Sequence, residues 1–201
     1  VGYFAARQLG TAAFLDGFTR MLGAYAPEVT EANQNLLSSH DTERFRHVAG
    51  DDRSRLVPAV LLQFTVPGAP GIYYGDEVGM SGGEEPASRG AFPWHRPEDW
   101  DRGLQAMVRD LARLRRQHPA LRRGDWRLRW QGEEAFAFSR RYGGEEIVAL
   151  VNRGPALPRV EVPLPAPGSP RVLWGEGRVR AERDGLVLDG IPAGSGLVVG
   201  L

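Results

Sequence analysis

Apolar residues in the first part of the chain recur at helical spacings and then give way to a short apolar run. Residues 3–24 carry large apolar side chains at mixed helical spacings, which predicts one or two helices. Residues 33–39 contain the short apolar run, which ends abruptly at His40 and Asp41. This change is typical of a buried parallel strand whose polar end emerges at a functional rim. His40 and Asp41 are therefore the first candidate functional residues.

The segments that follow predict a helix and then a second strand. Residues 52–64 have helical apolar spacing, with Asp51 or Asp52 in the position of an N-terminal cap. We predict a turn at residues 66–71 and a short strand at residues 72–74. The order strand, helix, strand predicts a parallel βαβ unit.

A long polar segment separates this unit from the clearest helix of the chain. Residues 79–97 are rich in Gly and Pro but also contain Trp, Arg and Glu, and a loop of this length is uncommon unless it is functional. Residues 101–118 then present one apolar stripe at helical spacing. Asp101 is expected to cap that helix and Pro119 to end it.

Beyond about residue 120 the apolar period changes from helical to alternating. Short alternating segments are separated by Gly, Pro and Asn, which predicts an antiparallel sandwich or barrel. A domain boundary is therefore expected within residues 119–124, dividing a first domain of residues 1–120 from a second of residues 121–201. The predicted strands are residues 126–130, 135–139, 147–151, 160–162, 171–174, 186–188 and 197–199.

Composition and charge argue against several classes of partner. The 201 residues include 25 basic and 25 acidic side chains, so neither a nucleic-acid surface nor an anionic membrane surface is expected. Cysteine is absent, which excludes disulfides and thiolate chemistry. The 4 His residues are scattered, so no metal site is expected. No apolar run approaches the roughly 20 residues that a membrane-spanning helix needs.

Three segments are the most specific part of the sequence. They are residues 35–41 (NLLSSHD), 67–80 (PGAPGIYYGDEVGM) and 82–94 (GGEEPASRGAFPW). Together they resemble the α-amylase superfamily, glycoside hydrolase family 13, in its neopullulanase, cyclomaltodextrinase and maltogenic amylase branch. The resemblance assigns them to the seventh barrel strand, the eighth strand and the loop after it, and residues 118–121 resemble the exit from the last barrel helix. The implied fold class is α/β plus all-β: the last strands and helices of a (β/α)8 TIM barrel, followed by an antiparallel β-sandwich C-terminal domain.

The resemblance also implies roles for four residues. Retaining hydrolysis uses a carboxylate nucleophile and a carboxylic acid/base about 5–5.5 Å apart, and the family adds a third carboxylate. Asp41 matches that third carboxylate, the transition-state stabiliser, and His40 matches the histidine that hydrogen-bonds the sugar at the point of cleavage. Glu85 and Arg89 match the pair that binds the next sugar on the non-reducing side. The sequence departs from the branch at Ala87, where most similar members carry a second Asp.

The catalytic set implied by the resemblance is incomplete in this chain. No segment resembles the motif of the family's nucleophile Asp or that of its acid/base Glu, which follow the fourth and fifth strands. We therefore expect a C-terminal portion of a longer enzyme, inactive alone, whose partner is the missing N-terminal part or another copy of the chain. The expected substrate is an α-glucan: a maltooligosaccharide, a cyclodextrin or pullulan. No cofactor is expected, and the location in the cell stays open.

Two other functions stay open at this stage. A transglycosylase of the same superfamily, similar to trehalose synthase, would carry the same strand-end motif. A non-catalytic glucan-binding module would instead use the β domain.

Several candidate residues also have a structural interpretation. Glu85 and Arg89 have an equal alternative as an ion pair that braces their own loop. Trp94 and Trp100 are interpreted as anchors of the loop, with stacking against a sugar as the alternative. The other structural interpretations are barrel packing for Tyr73 and Tyr74, hydrogen bonding at the strand end for Asp76 and Glu77, and solvated charge for Glu133, Glu134, Glu145 and Glu146.

Overall fold

The computed structural model describes residues 2–201, and within them it contains six α-helices and ten strands. The helices are α1 (Thr11–Gly23), α2 (Pro27–Ala32), α3 (Phe45–Val48), α4 (Arg53–Thr65), α5 (Arg102–Gln117) and α6 (Pro119–Arg123). The strands are β1 (Gln34–Leu36), β2 (Ala69–Gly71), β3 (Asp125–Gln131), β4 (Ala135–Tyr142), β5 (Glu145–Asn152), β6 (Leu157–Pro163), β7 (Arg171–Gly175), β8 (Arg178–Glu182), β9 (Gly185–Ile191) and β10 (Ser195–Gly200). Single turns of 3₁₀ helix occupy Asp76–Val78, Ala87–Arg89 and Pro97–Asp99.

The predicted βαβ unit is present, but its second strand begins earlier than predicted. β1 and β2 pair in parallel and α4 connects them. The prediction of a strand at residues 72–74 is wrong, because the chain has already left the sheet there and turns at Gly75, whose φ is 87°. Pro70 is tolerated inside β2 because that strand pairs only with β1 among the described residues.

Helix α4 begins at its predicted cap and holds both strands. The Asp52 carboxylate accepts a hydrogen bond from the Ser54 backbone N–H at 2.8 Å, which fills one of the unpaired donors of the first turn. Near the other end, the side-chain amide of Gln63 donates to the carbonyl of Asn35 at 2.9 Å and to that of Gly71 at 2.8 Å. One buried amide therefore fixes β1 and β2 relative to the same helix.

Helix α5 also has its predicted limits. The Asp101 side chain accepts from the Leu104 backbone N–H at 2.8 Å, and the helix ends at Gln117. Pro119 is the first residue of the short helix α6. Proline has no backbone N–H, and an N–H at the first helical position would have no partner within the helix, so proline is tolerated there. No helix within residues 2–201 has the length and apolar character that crossing a membrane requires.

The second half of the chain forms two antiparallel sheets, as its alternating period predicts. One sheet has five strands in the order β3-β4-β5-β10-β7, and the other has three in the order β6-β9-β8. Side chains such as Leu150 and Leu188 form an apolar cluster between them, so the sheets pack as a sandwich. The prediction missed β8, an edge strand in which only Val179 is partly buried.

A larger apolar cluster joins the helices to the five-stranded sheet. It contains Leu61 of α4 and Leu111 of α5 together with Phe136 and Phe138 of β4. All four side chains are at most 1% exposed. The helical part and the five-stranded sheet thus share a core.

Two buried arginines reinforce this junction, and within residues 2–201 neither of them forms an ion pair with a carboxylate. Arg115 of α5 and Arg140 of β4 both donate to backbone carbonyls at or just after the C-terminal end of α4. Burial lowers the pKa of Arg115 to about 10 and that of Arg140 to about 9, with smaller contributions from neighbouring arginines, so both side chains stay charged at neutral pH. The acceptors are the carbonyls of Phe64, Val66, Gly68 and Leu121 for Arg115, and those of Thr65 and Gly124 for Arg140.

The prediction of solvated charge is wrong for Glu145 and Glu146. Glu145 lies 2.6 Å from Nδ1 of His118 and accepts from the Ala120 backbone N–H at 2.8 Å, so it ties the β4–β5 hairpin to the start of α6. Glu146 accepts from Arg129 at 2.8 Å, and its side chain is only 15% exposed. Both carboxylates connect elements that are distant in the sequence, which a local pattern does not reveal.

Candidate functional site

A tight turn presents His40 and Asp41 just beyond the end of β1. The Ser39 backbone N–H donates to the Thr42 hydroxyl at 3.1 Å, and the Asp41 backbone N–H donates to the Ser39 hydroxyl at 3.2 Å. Short polar side chains that bond to nearby backbone in this way stabilise turns. The side chains of His40 and Asp41 point outward and are 65% and 70% exposed, so a ligand can reach both.

Arg89 brings the two halves of the predicted site together. Its Nε donates to the backbone carbonyl of His40 at 3.0 Å, and one terminal nitrogen lies 3.7 Å from the carboxylate of Asp41. The other terminal nitrogen lies 3.0 Å from the carboxylate of Glu85. The His40 Nε2 and Asp41 Oδ2 atoms are 3.2 Å apart. We call these four residues the rim cluster; all the predicted site residues belong to it.

The ion pair between Glu85 and Arg89 is present, so Arg89 does brace its own loop. The same guanidinium also donates to the carbonyl of His40 in the turn after β1. Arg89 therefore does more than brace its own loop. Position 87, where most similar members carry a second Asp, is an alanine in this chain. The acidic side chains of the rim cluster are therefore Asp41 and Glu85.

A buried arginine, Arg44, follows the turn that carries His40 and Asp41, and the sequence does not mark it as a site residue. Its side chain is fully buried and donates to the carbonyl of Tyr74 at 2.8 Å and to the carboxylate of Asp76 at 3.1 Å. The guanidinium carbon is 4.5 Å from the Tyr73 ring centroid and 4.9 Å from that of Tyr74. Burial raises the pKa of Asp76, while a hydrogen bond from Ser38 and the charge of Arg44 oppose that rise. These contacts tie the exit of β2 to the exit of β1.

The interpretation of Asp76 as a hydrogen-bonding residue at the strand end agrees with these contacts, whereas barrel packing by Tyr73 and Tyr74 stays a prediction. Tyr74 also donates its hydroxyl to the carbonyl of Gly90 at 2.9 Å, which holds the long loop against the strand ends. The backbone N–H of Arg44 donates to the carbonyl of Gly82 at 2.9 Å. The loop that carries Glu85 and Arg89 is thus fastened at two points. Only the position of Arg44, three residues after Asp41, could have drawn attention to it.

The two tryptophans of the long loop differ in exposure. Trp100 is partly buried and donates its indole N–H to the carbonyl of Pro93 at 3.1 Å, so it does anchor the loop. Trp94 is 74% exposed. Its ring nevertheless packs against that of Phe92, with 4.2 Å between the centroids, so the interpretation of Trp94 as a loop anchor stays a prediction.

The rim cluster can bind a neutral ligand that is rich in hydroxyl groups. Its carboxylates accept hydrogen bonds, its guanidinium donates them, and its imidazole can do either. Its ion pairs are exposed to solvent, where they are weak enough for a ligand to replace them. Within residues 2–201, no group of three or more His, Asp or Glu side chains has the arrangement of a metal site.

Comparison with known proteins identifies the family. The family model described as the alpha amylase catalytic domain matches residues 5–138. A cyclomaltodextrinase from Geobacillus thermopakistaniensis is 35% identical over 196 residues, which are 96% of this chain and 33% of that protein. Neopullulanase 2 from Thermoactinomyces vulgaris is 36% identical over 158 residues, which are 77% of this chain and 27% of that protein.

A solved structure agrees with these matches. The debranching enzyme from Nostoc punctiforme has a TM-score of 0.86 and 32% identity, over 96% of this chain and 40% of that one. The chain spans about a third or less of the length of the two curated relatives named above, 33% and 27%. The chain belongs to the α-amylase family, glycoside hydrolase family 13, and corresponds to a part of its longer relatives.

Proposed function

We propose that this chain is part of a retaining α-glucan hydrolase that cleaves α-1,4-glucosidic bonds in maltooligosaccharides, cyclodextrins or pullulan. The observation that carries the proposal is the rim cluster, in which Arg89 joins Glu85 to His40 and Asp41. A site of this composition suits hydroxyl-rich, uncharged sugars. The α-1,6 bonds of pullulan are a second linkage to be tested.

In this proposal β1 and β2 are the seventh and eighth strands of a (β/α)8 barrel. Two observations support it: the strands are parallel and linked by a helix, and polar candidates follow both strand ends, where such barrels hold their active sites. Leu36 and Ile72 are 50% and 37% exposed beside the small sheet, as expected if further strands cover them. Residues 1–120 would then belong to the barrel and residues 121–201 to the C-terminal β domain.

Asp41 is proposed to act on the transition state. A carboxylate that accepts hydrogen bonds from sugar hydroxyls binds more strongly as positive charge develops on the sugar ring, because attraction between opposite charges is added. Its contacts with His40 and Arg89 orient it before the sugar arrives. Asp41 would therefore contribute to turnover more than to substrate affinity.

The other residues of the rim cluster are proposed to bind sugars. His40 would donate a hydrogen bond to the sugar at the point of cleavage, while Glu85 and Arg89 would hold the next sugar on the non-reducing side. Glu85 is one methylene longer than the Asp usual in this branch, so its carboxylate can reach further into the site. These contacts would mainly affect the apparent affinity for substrate.

The nucleophile and the acid/base are proposed to come from residues outside this chain. In a retaining mechanism these two carboxyl groups must lie about 5–5.5 Å apart on either side of the scissile bond. Asp41 is assigned to stabilisation of the transition state and Glu85 to binding of the next sugar, and both contact Arg89, so neither belongs to that pair. We expect no hydrolysis by the chain alone.

The test compares the chain with the longer protein in which we expect it to lie. Each is incubated with maltoheptaose, β-cyclodextrin and pullulan, and the products are separated by chromatography. We expect shorter sugars from the longer protein and none from the chain. Products longer than the substrate would favour the transglycosylase, and no consumption of any α-glucan by the longer protein would refute the proposal.

A further inference from the structure

We propose that Asp76 is a positioning residue: it holds in place the turn that carries Asp41 and does not itself contact the substrate. This role depends on the proposed function, because Asp76 would work through the action of Asp41 on the transition state. The two carboxylates differ in environment. The Asp76 side chain is 20% exposed, whereas that of Asp41 is 70% exposed.

The turn that carries Asp41 is closed at its base. The backbone N–H of Phe45 donates to the Ser38 hydroxyl at 3.0 Å, so the residues before and after the turn are joined. Ser38, Arg44 and Phe45 are at most 2% exposed. Asp41 lies three residues after Ser38 and three residues before Arg44. A shift of this buried base would therefore move the Asp41 carboxylate.

The Asp76 carboxylate binds the base of the turn from the second strand. It accepts a hydrogen bond from Arg44 at 3.1 Å, and the Ser38 hydroxyl donates to it as well. One carboxylate therefore holds both ends of the turn. The same terminal nitrogen of Arg44 donates to the carbonyl of Tyr74 at 2.8 Å, which fixes the guanidinium beside Asp76.

Asp76 is itself fixed to the rest of the fold. It begins the 3₁₀ turn Asp76–Val78, and its backbone N–H donates to the carbonyl of Tyr73 at 3.0 Å. At the end of that turn, the carbonyl of Val78 accepts from the backbone N–H of Asp101, the cap of α5, at 3.0 Å. Asp76 can therefore act as an anchor for the turn after β1.

Stability alone does not account for this buried network. A buried ion pair contributes little net stability, because the cost of removing two charges from water offsets their attraction. Within residues 2–201, Nε and one terminal nitrogen of Arg44 are also buried without a hydrogen-bond partner. Contact with the rings of Tyr73 and Tyr74 compensates only in part for the lost hydration. What the network does provide is one fixed geometry for the turn.

The experiment is a double-mutant cycle between Asp76 and Asp41 in the longer protein. Asp76→Asn keeps the volume and one acceptor oxygen but loses the charge that holds Arg44, so kcat for maltoheptaose should fall about tenfold per folded molecule. In the Asp41→Asn background, the same substitution should change kcat by less than about twofold, because the carboxylate that it positions is already gone. An Asp76 that only stabilised the fold would lower both rates by the same factor.

A second variant and a matched control accompany the cycle. Ser38→Ala removes the hydroxyl between Phe45 and Asp76 with little change in volume, and it should show the same dependence on Asp41 with a smaller loss of kcat. Glu146→Gln is the control, because it weakens a comparably buried ion pair with Arg129 in the β domain and should leave kcat unchanged. Circular dichroism gives the folded fraction of each variant, by which its kcat is corrected.

Each outcome supports or overturns the positioning role. Equal losses of kcat from Asp76→Asn in the wild type and in Asp41→Asn would overturn that role and leave the proposed function intact. A wild-type kcat in Asp76→Asn would overturn it too. If Asp76→Asn does not fold, the cycle with Ser38→Ala decides between the same outcomes. A longer wild-type protein without activity on α-glucans would instead refute the proposed function.

Discussion

Arg89 and Arg140 have the same side chain, but Arg89 is exposed to solvent and Arg140 is buried. Arg89 is 44% exposed, and its side chain lies near two carboxylates and one carbonyl of the rim cluster. Arg140 is fully buried and donates three hydrogen bonds to the carbonyls of Gly124 and Thr65. The first arrangement can exchange its partners for a ligand. The second cannot lose a partner without leaving buried polar groups unpaired.

This difference separates residues that serve function from residues that serve stability. Exposed ion pairs contribute about 0–1 kcal/mol to the free energy of unfolding. The arrangement of the rim cluster therefore adds little to stability. A hydrogen bond between a charged donor and a buried carbonyl contributes about 1.5–3 kcal/mol. The following substitutions should therefore affect either activity or stability, but not both.

The largest effect is expected for Asp41→Asn in the longer protein. The substitution removes the negative charge that is proposed to stabilise the transition state, so kcat for maltoheptaose should fall about 10²–10³-fold. Because the Asp41 side chain is 70% exposed, the midpoint of urea unfolding should not change. Asp16→Asn is the control, since Asp16 is 67% exposed and pairs only with Arg20 in the same helix. Turnover near that of the wild type would refute the role of Asp41.

The second prediction concerns the junction, where Arg140→Met should destabilise the fold. The variant leaves the carbonyls of Thr65 and Gly124 buried without their donor, at a cost of about 3 kcal/mol. The measurement is urea unfolding followed by circular dichroism. Arg141→Met is the matched control, because Arg141 is the exposed neighbour in the same strand. Equal midpoints for the two variants would break the comparison between buried and exposed arginines.

The third prediction concerns Arg89, the exposed arginine of the comparison, and uses Arg89→Met. The variant keeps a long flexible side chain but loses the charge and the donors that hold Glu85 and the turn at His40. We expect KM for maltoheptaose to rise about tenfold, equivalent to about 1.4 kcal/mol, with a change in unfolding free energy below about 1 kcal/mol. A large loss of stability with an unchanged KM would assign Arg89 to structure alone.

The smallest effect is expected at the opposite end of α4 from Arg140. Asp52→Ala removes the partly buried helix cap and should cost about 1 kcal/mol at pH 7, whereas Asp52→Asn should cost little. The hydrogen bond from Ser54 lowers the pKa of Asp52 below its usual value of 3.8. The cap therefore stabilises the fold above pH 3.8, and that contribution disappears as the pH falls through the lowered pKa. Urea unfolding at pH 7 and at pH 2 checks whether the difference between Asp52→Ala and the wild type shrinks.

Local signals explain which parts of the fold could be predicted. Helices α4 and α5 were predicted with their caps because apolar spacing and a capping Asp lie within one stretch of sequence. Residues 72–74 have a high β propensity, whereas Ala69–Gly71 lie in a segment rich in Gly and Pro that predicts a turn. Pairing with β1 nevertheless makes Ala69–Gly71 the strand. The sequence does not predict β8, because Arg178–Glu182 alternates polar and apolar residues over only five positions and only Val179 is partly buried.

The candidate site could be predicted in its residues but not in its arrangement. The motifs pointed to His40, Asp41, Glu85 and Arg89, and the structure brings all four together. Arg89 contacts the turn after β1 because of the path of a long loop. That path leaves no periodic pattern in the sequence. The role of Arg44 has no sequence signal for the same reason, since its partners Tyr74 and Asp76 follow the other strand.

The core shared by the helices and the five-stranded sheet makes residues 121–201 a poor unit for transplantation into another protein. Phe136 of β4 lies 5.8 Å from Phe14 of α1, ring centroid to ring centroid, and belongs to the same cluster as Leu61 of α4. A chimera that takes only residues 121–201 would carry this aromatic strand face uncovered, and it should aggregate. In a chimera with a relative, the junction should therefore lie before α1. The transferred segment then includes the helices that pack against the five-stranded sheet.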